Sequence, residues 1–203
     1  IYASLGYLTQ DGPLKKGGFK RYSGRFNLDH SANSWLKIGN STGLSRTERS
    51  ETPVDNSIYS PFPRATVARP DQPIYNQDGT FAVNDFNNPV HMFQTDNFVN
   101  LLNIQNLFYG EATILPGLRF RSSLGVDYSV LDQRIYDPIT SLPGAGSNGA
   151  GTAGSVTTQN YILTQNLSYS KMLLSNRLPL DATAVYEFQK NRREDMRVGA
   201  QDF

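Results

Sequence analysis

The fold is decided by Leu118-Arg119-Phe120-Arg121-Ser122-Ser123-Leu124-Gly125-Val126-Asp127-Tyr128-Ser129-Val130. Its even-numbered positions are apolar or aromatic except for Ser122, and its odd-numbered positions are polar or charged except for Gly125. Side chains alternate between the two faces along a β-strand. The stretch therefore predicts one long strand with an apolar face and a polar face.

The same period of two recurs along the rest of the chain, more weakly in most places. It predicts six further strands, at Ile1–Thr9, Phe19–Asp29, Leu36–Arg46, Leu102–Ile114, Gln159–Lys171 and Leu178–Lys190. Strands of soluble proteins are usually about 5–6 residues long. A tilted strand crosses a bilayer in about 9–11 residues. The predicted strands are long enough to cross a bilayer and longer than the usual strands of soluble proteins.

The connections between these strands alternate in length. The short ones are His30–Trp35, Leu115-Pro116-Gly117 and Leu173–Arg177. The longer ones are Asp11–Gly18, residues 51–100 and the Gly-rich residues 131–157. Outer-membrane barrels combine short periplasmic turns with long extracellular loops. We therefore predict that residues 1–203 are seven antiparallel, up-and-down strands of a large transmembrane β-barrel, with extracellular loops at 51–100 and 131–157.

Composition excludes several other classes of protein. Lys and Arg number 19 against 18 Asp and Glu, and no basic stripe indicates nucleic-acid binding. Cysteine is absent, which excludes disulfides and thiolate metal sites. No apolar run is long enough for a transmembrane helix. The chain opens on strand-like residues without the basic start of a signal peptide, so we interpret it as an interior segment of a longer protein.

Several segments resemble the SusC/RagA family of TonB-dependent importers in their order and spacing. The most specific is Phe19-Lys20-Arg21-Tyr22-Ser23-Gly24-Arg25-Phe26-Asn27-Leu28-Asp29, followed at the expected distance by Trp35-Leu36-Lys37-Ile38-Gly39. Pro73-Ile74-Tyr75-Asn76-Gln77-Asp78-Gly79-Thr80 resembles part of the family's long loop. Ile114-Leu115-Pro116-Gly117-Leu118-Arg119-Phe120-Arg121-Ser122 resembles a later hairpin.

This resemblance implies a protein of the Gram-negative outer membrane that imports glycan or peptide oligomers. It implies a SusD-like surface lipoprotein as a lid, the lipid bilayer as surroundings, and TonB acting through a plug region that this chain lacks. Loop aromatics could stack on cargo or pack against the lid, although such residues more often fold a loop on itself: Tyr59, Phe62, Tyr75, Phe81 and Phe86. The cargo-binding residues are not identified.

No motif indicates an enzyme, a metal or a cofactor. Gly144-Ala145-Gly146-Ser147-Asn148-Gly149 matches a dinucleotide-binding fingerprint by letter but lacks the strand and helix around it, so we interpret it as a flexible loop. Calcium-ligand spacing is not met by Asn76, Asp78, Asn84 and Asp85, and a turn at Asp78-Gly79 is favoured. His30 and His91 lack ligand spacing and are predicted to be solvated. We predict no catalytic residue.

The parity of the apolar positions also predicts strand register, because a one-residue slip would exchange the two faces of a strand. For Leu102–Ile114 and Leu118–Val130 it sets Glu111 opposite Arg121 and Ile114 opposite Leu118 across a three-residue loop. Four charged residues then face the hydrated interior of the barrel: Glu111, Arg119, Arg121 and Asp127. For the last two strands it sets Tyr161 opposite Phe188.

A secreted β-rich adhesin or glycan-binding module is the alternative. Such a module would bury its apolar sheet face against a second sheet. In a barrel the same face contacts lipid. The exposure of Phe120, Leu124 and Val126 therefore distinguishes the two interpretations.

Overall fold

A computed structural model describes residues 1–52, 60–82, 88–174 and 178–202. Its main feature is one antiparallel sheet of seven strands, in which each strand pairs with the next strand along the chain. The strands are β1 (Tyr2–Asp11), β2 (Gly18–Ser31), β3 (Leu36–Ser50), β4 (Asp96–Leu115), β5 (Leu118–Asp137), β6 (Ala150–Leu173) and β7 (Leu178–Gln201). This is the predicted up-and-down order.

Helices are short and lie in the connections. They are α1 (Pro61–Val67), a 3₁₀ turn (His91–Gln94) and α2 (Leu142–Ala145). Within the described ranges, none of them has the length and apolar character of a membrane-crossing helix.

The register keeps all the apolar sides of the strands on one face of the sheet. Tyr7 lies opposite Tyr22 in the first pair, Phe108 opposite Leu124 in the fourth, and Leu163 opposite Phe188 in the last. The apolar face therefore carries odd-numbered residues of β1 and β6 and even-numbered residues of the other strands. The opposite, polar face carries the remaining residues.

The apolar face is not covered by other parts of the described chain. Leu124 is 41% exposed, and Phe120 and Val126 are half-exposed. The buried apolar side chains among the described residues are Pro61, Ala82, Met92 and Val99, and none of them lies on this face. From Leu118 to Val130 the face measures about 40 Å along the strand, or about 30 Å in height at a tilt of ~40°. That matches a bilayer's hydrocarbon core of about 30 Å.

Polar residues within the apolar face are hydrogen-bonded to one another. The Thr42 hydroxyl donates to Asn40 Oδ1 at 2.7 Å, and Asn106 Nδ2 donates to Thr42 Oγ1 at 2.7 Å. Gln165 Nε2 donates to Ser122 Oγ at 3.0 Å. An unpaired polar group costs more in hydrocarbon than in water. These pairs satisfy the amides and hydroxyls that lie on an otherwise apolar face.

All seven strands run further at one end or both than their alternation predicted. β5 continues to Asp137 and β6 begins at Ala150, so the Gly-rich connection is residues 138–149 rather than 131–157. β4 begins at Asp96, which shortens the long connection to residues 51–95. Beyond the apolar band, apolar residues occur on both faces of a strand, as with Phe98 and Val99 of β4, so alternation disappears although backbone pairing continues.

The β4–β5 hairpin has the predicted register but not the predicted turn. Glu111 lies opposite Arg121, and Phe108 lies opposite Leu124, as expected. At the tip, however, Leu115 lies opposite Leu118, and the register shifts between Thr113 and Leu115. The loop is therefore the two residues Pro116-Gly117, and a bulge at Ile114 absorbs the extra residue. A bulge of this kind allows a two-residue turn to keep both faces in place, which parity alone does not predict.

We expect Gly117→Ala to destabilise this hairpin by about 1–2 kcal/mol, because an L-residue is strained in the left-handed region. Gly117 has a φ of 88°, and an added Cβ would lie 2.3 Å from the Ser170 carbonyl oxygen. The guanidinium midpoint of the folded protein that contains this chain measures the effect. Pro116→Ala is the matched control, and an equal loss in both variants would contradict this account.

In the β6–β7 hairpin the apolar residues of the two strands share one face, as predicted. Each residue, however, pairs with a different partner from the predicted one. Tyr161 lies opposite Lys190 rather than Phe188, and Leu173 lies opposite Leu178. The connection is therefore 174–177, one residue later than predicted, and residues 175–177 of it lie outside the described ranges. Pairing Leu173 with Leu178 sets two apolar side chains opposite each other on the apolar face, which favours this register.

Candidate functional site: the polar face of the sheet

All four charged residues predicted to face inward lie on the polar face. Glu111 belongs to β4, and the other three belong to β5. Their cross-strand neighbours on β4 and β5 are Arg121 for Glu111, Thr113 for Arg119 and Gln105 for Asp127. An arginine on the lipid side would cost about 2–4 kcal/mol at the bilayer midplane. This cost accounts for the placement of the charged residues on the polar face.

Glu111 and Arg121 form part of a small cluster near the short turns. Arg121 Nη1 lies 3.5 Å from Glu111 Oε2, and the Arg121 guanidinium lies 3.8 Å from the centre of the Tyr109 ring. An exposed ion pair contributes about 0–1 kcal/mol, and a cation–π contact at an exposed site about 0.5–1 kcal/mol. The cluster orients Arg121 more than it stabilises the sheet.

Tyr109 links this cluster to β2 across a glycine. Its hydroxyl donates to Asp29 Oδ1 at 2.6 Å. Between the two strands lies Gly39 of β3, opposite both Asp29 and Tyr109. A Cβ at Gly39 would be 2.1 Å from Tyr109 Cε1, so the tyrosine ring occupies the space that a side chain would fill. Three strands are thereby joined through side chains.

Sequence reasoning missed this tyrosine and glycine. Parity alone could place Tyr109 on the polar face, because it is an odd-numbered residue of β4. Its position over Gly39 depends on the β3–β4 register, and the long connection between those strands leaves that register open.

Arg119 and Asp127 are not brought into the cluster. Each is exposed, and neither has a hydrogen bond or ion pair with a residue in the described ranges. Asp127 is separated from Arg121 by six positions along β5, about 20 Å at the rise of a strand. The four predicted residues thus share a face without forming one site.

The three longer connections lie at the same end of the strands, and this end of the sheet is here called the loop edge. The connections are residues 12–17, 51–95 and 138–149. Lys16 Nζ lies 2.6 Å from Asp96 Oδ1, and the Thr52 hydroxyl donates to the Lys15 carbonyl at 3.0 Å. The Thr140 hydroxyl donates to Gln94 Oε1 at 3.1 Å. These contacts tie each connection to at least one other, which gives the edge a defined surface.

His91 lies within the loop edge and is buried, so the prediction that it is solvated is wrong. Its ring stacks on Phe81 at 4.6 Å between centroids, and Nε2 is hydrogen-bonded to the Thr140 carbonyl. Periodicity could not reveal this because the contact joins two irregular connections. His30, in contrast, is exposed at the end of β2.

The Asp78-Gly79 segment forms the predicted turn. Asp78 Oδ1 accepts hydrogen bonds from the Thr80 hydroxyl at 2.6 Å and from the Thr80 backbone N–H at 3.0 Å. These bonds, the side-chain one first, hold the pKa of Asp78 below its ordinary value. No cluster of metal-ligating side chains occurs among the described residues. Asn84 and Asp85 lie outside them, as do the aromatics Tyr59 and Phe86.

The Gly-rich connection is compact. Ser141 caps the single-turn helix α2, accepting a hydrogen bond from the Gly144 N–H at 3.0 Å. Gly144 is buried against the Pro138 carbonyl oxygen, where a Cβ would be only 2.2 Å away. The segment leads directly into β6, so it lacks the strand–loop–helix order of a dinucleotide site.

The chain is similar in sequence to two curated receptors of Formosa agariphila. It is 26% identical over 215 residues to TonB-dependent receptor P3, a match that covers 100% of this chain and 21% of the receptor. It is 30% identical over 129 residues to TonB-dependent receptor P26, covering 63% of this chain and 11% of the receptor. The chain therefore spans about a fifth or less of these relatives. No family model matches it.

Solved structures with the same strand arrangement include the RagAB peptide transporter. The TM-score is 0.79 at 19% identity, and the match covers 100% of this chain and 24% of the other. The RagAB peptide importer in its "open-open" state gives a TM-score of 0.77 over 98% of this chain. At this level of identity the likeness concerns the fold, and it places the seven strands in the wall of a larger barrel.

Sequence similarity along the whole chain and a shared fold lead to the same assignment. The apolar face, the polar face and the alternation of turns with longer connections are the features that a barrel wall requires. In sequence and in fold the chain is similar to a barrel-wall segment of TonB-dependent receptors, in agreement with its resemblance to the SusC/RagA family.

Proposed function

We propose that this chain forms wall and outer loops of an importer for glycan or peptide oligomers in a Gram-negative outer membrane, and that it performs no bond chemistry. The observation that carries the proposal is the division of the sheet into an apolar face and a polar face, neither of which is covered by the described residues. Lipid contacts the first face, and the second lines the path of cargo. Glu111, Arg119, Arg121 and Asp127 belong to that lining.

The proposed partners follow from the two ends of the sheet. The loop edge faces outside, where a SusD-like lipoprotein would cover it and form the lid. Exposed aromatic side chains are available for that contact, since Phe62 is 61% and Tyr75 52% exposed. TonB would act from the periplasm through a plug supplied by another part of the protein.

Uptake by cells tests the function. Cells that express the complete receptor should accumulate fluorescent oligopeptides or oligosaccharides, and an uncoupler of the proton gradient should abolish this. Accumulation that is insensitive to the uncoupler would exclude active import. A receptor that stays soluble without detergent would instead favour the adhesin alternative.

Labelling of introduced cysteines tests the orientation. The chain has no native cysteine. Ile139, in the connection 138–149, is 54% exposed, and Trp35, in the short β2–β3 turn, is 53% exposed. With a membrane-impermeant maleimide, we expect Ile139→Cys to react on intact cells and Trp35→Cys to react only after lysis. Reaction of Trp35→Cys on intact cells would reverse the proposed orientation.

A further inference from the structure

The apolar face of the sheet carries a groove over Gly24 of β2, here called the Gly24 groove. It has a volume of about 600 Å³ and crosses β1, β2 and β3. Leu5 and Leu44 form its two sides, because the register places them on either side of Gly24. The main lining residues all belong to the apolar face: Ala3, Leu5, Gly24, Phe26, Thr42 and Leu44. The groove therefore opens on the side that the proposed barrel turns toward lipid.

The glycine in the floor of the groove has no reason within the described chain. Gly24 does not have a positive φ, so no special backbone conformation requires it. An added Cβ would lie 3.4 Å from Leu5 Cδ2, which is an ordinary van der Waals contact. Glycine weakens a strand interior and often marks a place where a ligand approaches closely. A ligand from outside the described residues would explain this one.

Two cations lie at the end of the groove that is nearer the loop edge. Arg46 shares one cross-strand row with Tyr22, Leu102 and Val130. Val130 is the last residue of the apolar stretch of β5, so this row is the boundary of the apolar band. Lys20 lies two residues further along β2 than Tyr22, toward the loop edge. It is four residues from the glycine, about 13 Å along the strand, or about 10 Å in height at a tilt of ~40°.

The charge at this end of the groove is positive. Lys20 is exposed and has no ion pair or hydrogen bond with a described residue. Arg46 Nη2 lies 3.0 Å from Glu48 Oε1, and Glu48 lies opposite Lys20. Two cations and one carboxylate leave a net charge of +1, and a guanidinium group has five N–H donors, more than one carboxylate can use. Asp11, opposite Gly18, lies one step further from the apolar band.

Two tyrosines at the same boundary add hydrogen-bond donors. The rings of Tyr7 and Tyr22 lie 5.1 Å apart between centroids, and both side chains are exposed. Neither hydroxyl is hydrogen-bonded to a described residue. Tyrosine is enriched at membrane interfaces, where its amphipathic ring sits at the level of the lipid headgroups. Apolar walls, then phenol hydroxyls, then cations follow one another along the groove, which is the order of polarity in a phosphorylated lipid.

We propose that the Gly24 groove binds one molecule of lipopolysaccharide. One acyl chain would lie over the glycine between Leu5 and Leu44, and one lipid A phosphate would lie between Lys20 and Arg46. This rests on the proposed function, which turns the apolar face toward lipid and the loop edge toward the outer leaflet, where lipopolysaccharide is the main lipid. Charge complementarity favours it, because a lipid A phosphate is anionic, whereas the phosphate of phosphatidylethanolamine is balanced by its own ammonium group.

Lipid binding to the complete protein tests the charged end of the groove. Native mass spectrometry of the delipidated protein in detergent measures the dissociation constant for added lipopolysaccharide. We expect one molecule to bind about tenfold more tightly than the same lipid without its lipid A phosphates. Lys20→Glu should weaken binding of the phosphorylated lipid about tenfold, as the loss of a hydrogen bond between charged groups allows. Arg21→Glu is the matched control, because it reverses a charge one residue away on the polar face, and it should leave the dissociation constant unchanged.

A second pair of variants tests the apolar part of the groove. Gly24→Leu should weaken binding about tenfold, because the leucine side chain fills the space of several acyl methylenes, each of which contributes to binding. Gly110→Leu is the matched control. Gly110 also lies on the apolar face, outside the groove, and a Cβ there meets nothing within 4 Å. Heat-modifiable gel mobility verifies that every variant retains a folded barrel.

The outcomes separate this inference from the proposed function. Equal affinity for the phosphorylated and dephosphorylated lipids would overturn the inference, as would unchanged binding in Lys20→Glu or in Gly24→Leu. Phosphatidylglycerol or phosphatidylethanolamine that binds as tightly as lipopolysaccharide would also overturn it, because the occupant would then be a glycerophospholipid. None of these results affects the import proposal. Failure of uptake or of the orientation test would remove the import proposal, whereas the lipid affinities of the purified protein do not depend on either result.

Discussion

Ala184→Arg is expected to lower the free energy of unfolding of the receptor by about 2–4 kcal/mol in lipid vesicles, the largest effect that we predict for the apolar face. Ala184 lies on the apolar side of β7, opposite Leu167 of β6 and well within the apolar band. A guanidinium group there is placed in hydrocarbon, where neither water nor a carboxylate solvates it. Because alanine is small, the substitution removes little packing, so the measured loss reports the transfer of charge.

Thr183→Arg is the matched control. It lies next to Ala184 but on the polar face, and it too is exposed. We expect it to change the free energy of unfolding by less than about 0.5 kcal/mol, as exposed substitutions usually do. Denaturant titration of both variants in the same vesicles makes the comparison. If Thr183→Arg were the more damaging variant, the assignment of the two faces would be reversed.

Gly39→Val is expected to cost about 2–3 kcal/mol, because an overpacked site must displace its neighbours. The first added atom would lie 2.1 Å from Tyr109 Cε1 and 2.7 Å from Asp29 Oδ1. The Tyr109 ring cannot move away freely, because its hydroxyl is hydrogen-bonded to Asp29 and the Arg121 guanidinium covers its face. Valine would therefore break contacts among three strands.

A double-mutant cycle separates this clash from the intrinsic preference of strands for valine. In a Tyr109→Ala background the ring is gone and the exposed Asp29 side chain can move aside, so Gly39→Val should then cost less than about 1 kcal/mol. Gly110→Val is a second control, because a Cβ at Gly110 meets nothing within 4 Å. Equal costs for the three valine substitutions would show that the contact between Gly39 and Tyr109 has no special role.

Sequence alone predicted the features that depend on parity. Alternation assigned every strand to the correct faces, and it placed Glu111 opposite Arg121 because the cost of an arginine in lipid excludes the other register. Parity is conserved under a shift of two residues, however. That is why parity places Tyr161 of β6 on the correct face of the sheet but pairs it with Phe188 of β7 instead of Lys190.

The contacts of the loop edge could not be predicted from the sequence, for a different reason. The ring stacking of His91 on Phe81 and its hydrogen bond to Thr140 join two connections that have no periodicity. The position of Tyr109 over Gly39 likewise depends on the register of β3 and β4, which the long connection between these strands leaves open.

The bulge at Ile114 has a consequence for how such walls can change during evolution. On one side of the bulge Thr113 lies opposite Arg119, and on the other Leu115 lies opposite Leu118. A lineage that loses Ile114 keeps both of these pairings, and every residue further along the two strands keeps its side. Elsewhere in a strand, the insertion or deletion of one residue would move the side chains beyond it to the opposite face. At this bulge the same change leaves the faces of the strand residues almost unaffected. Length differences among relatives should accumulate at this tip and not within the strands.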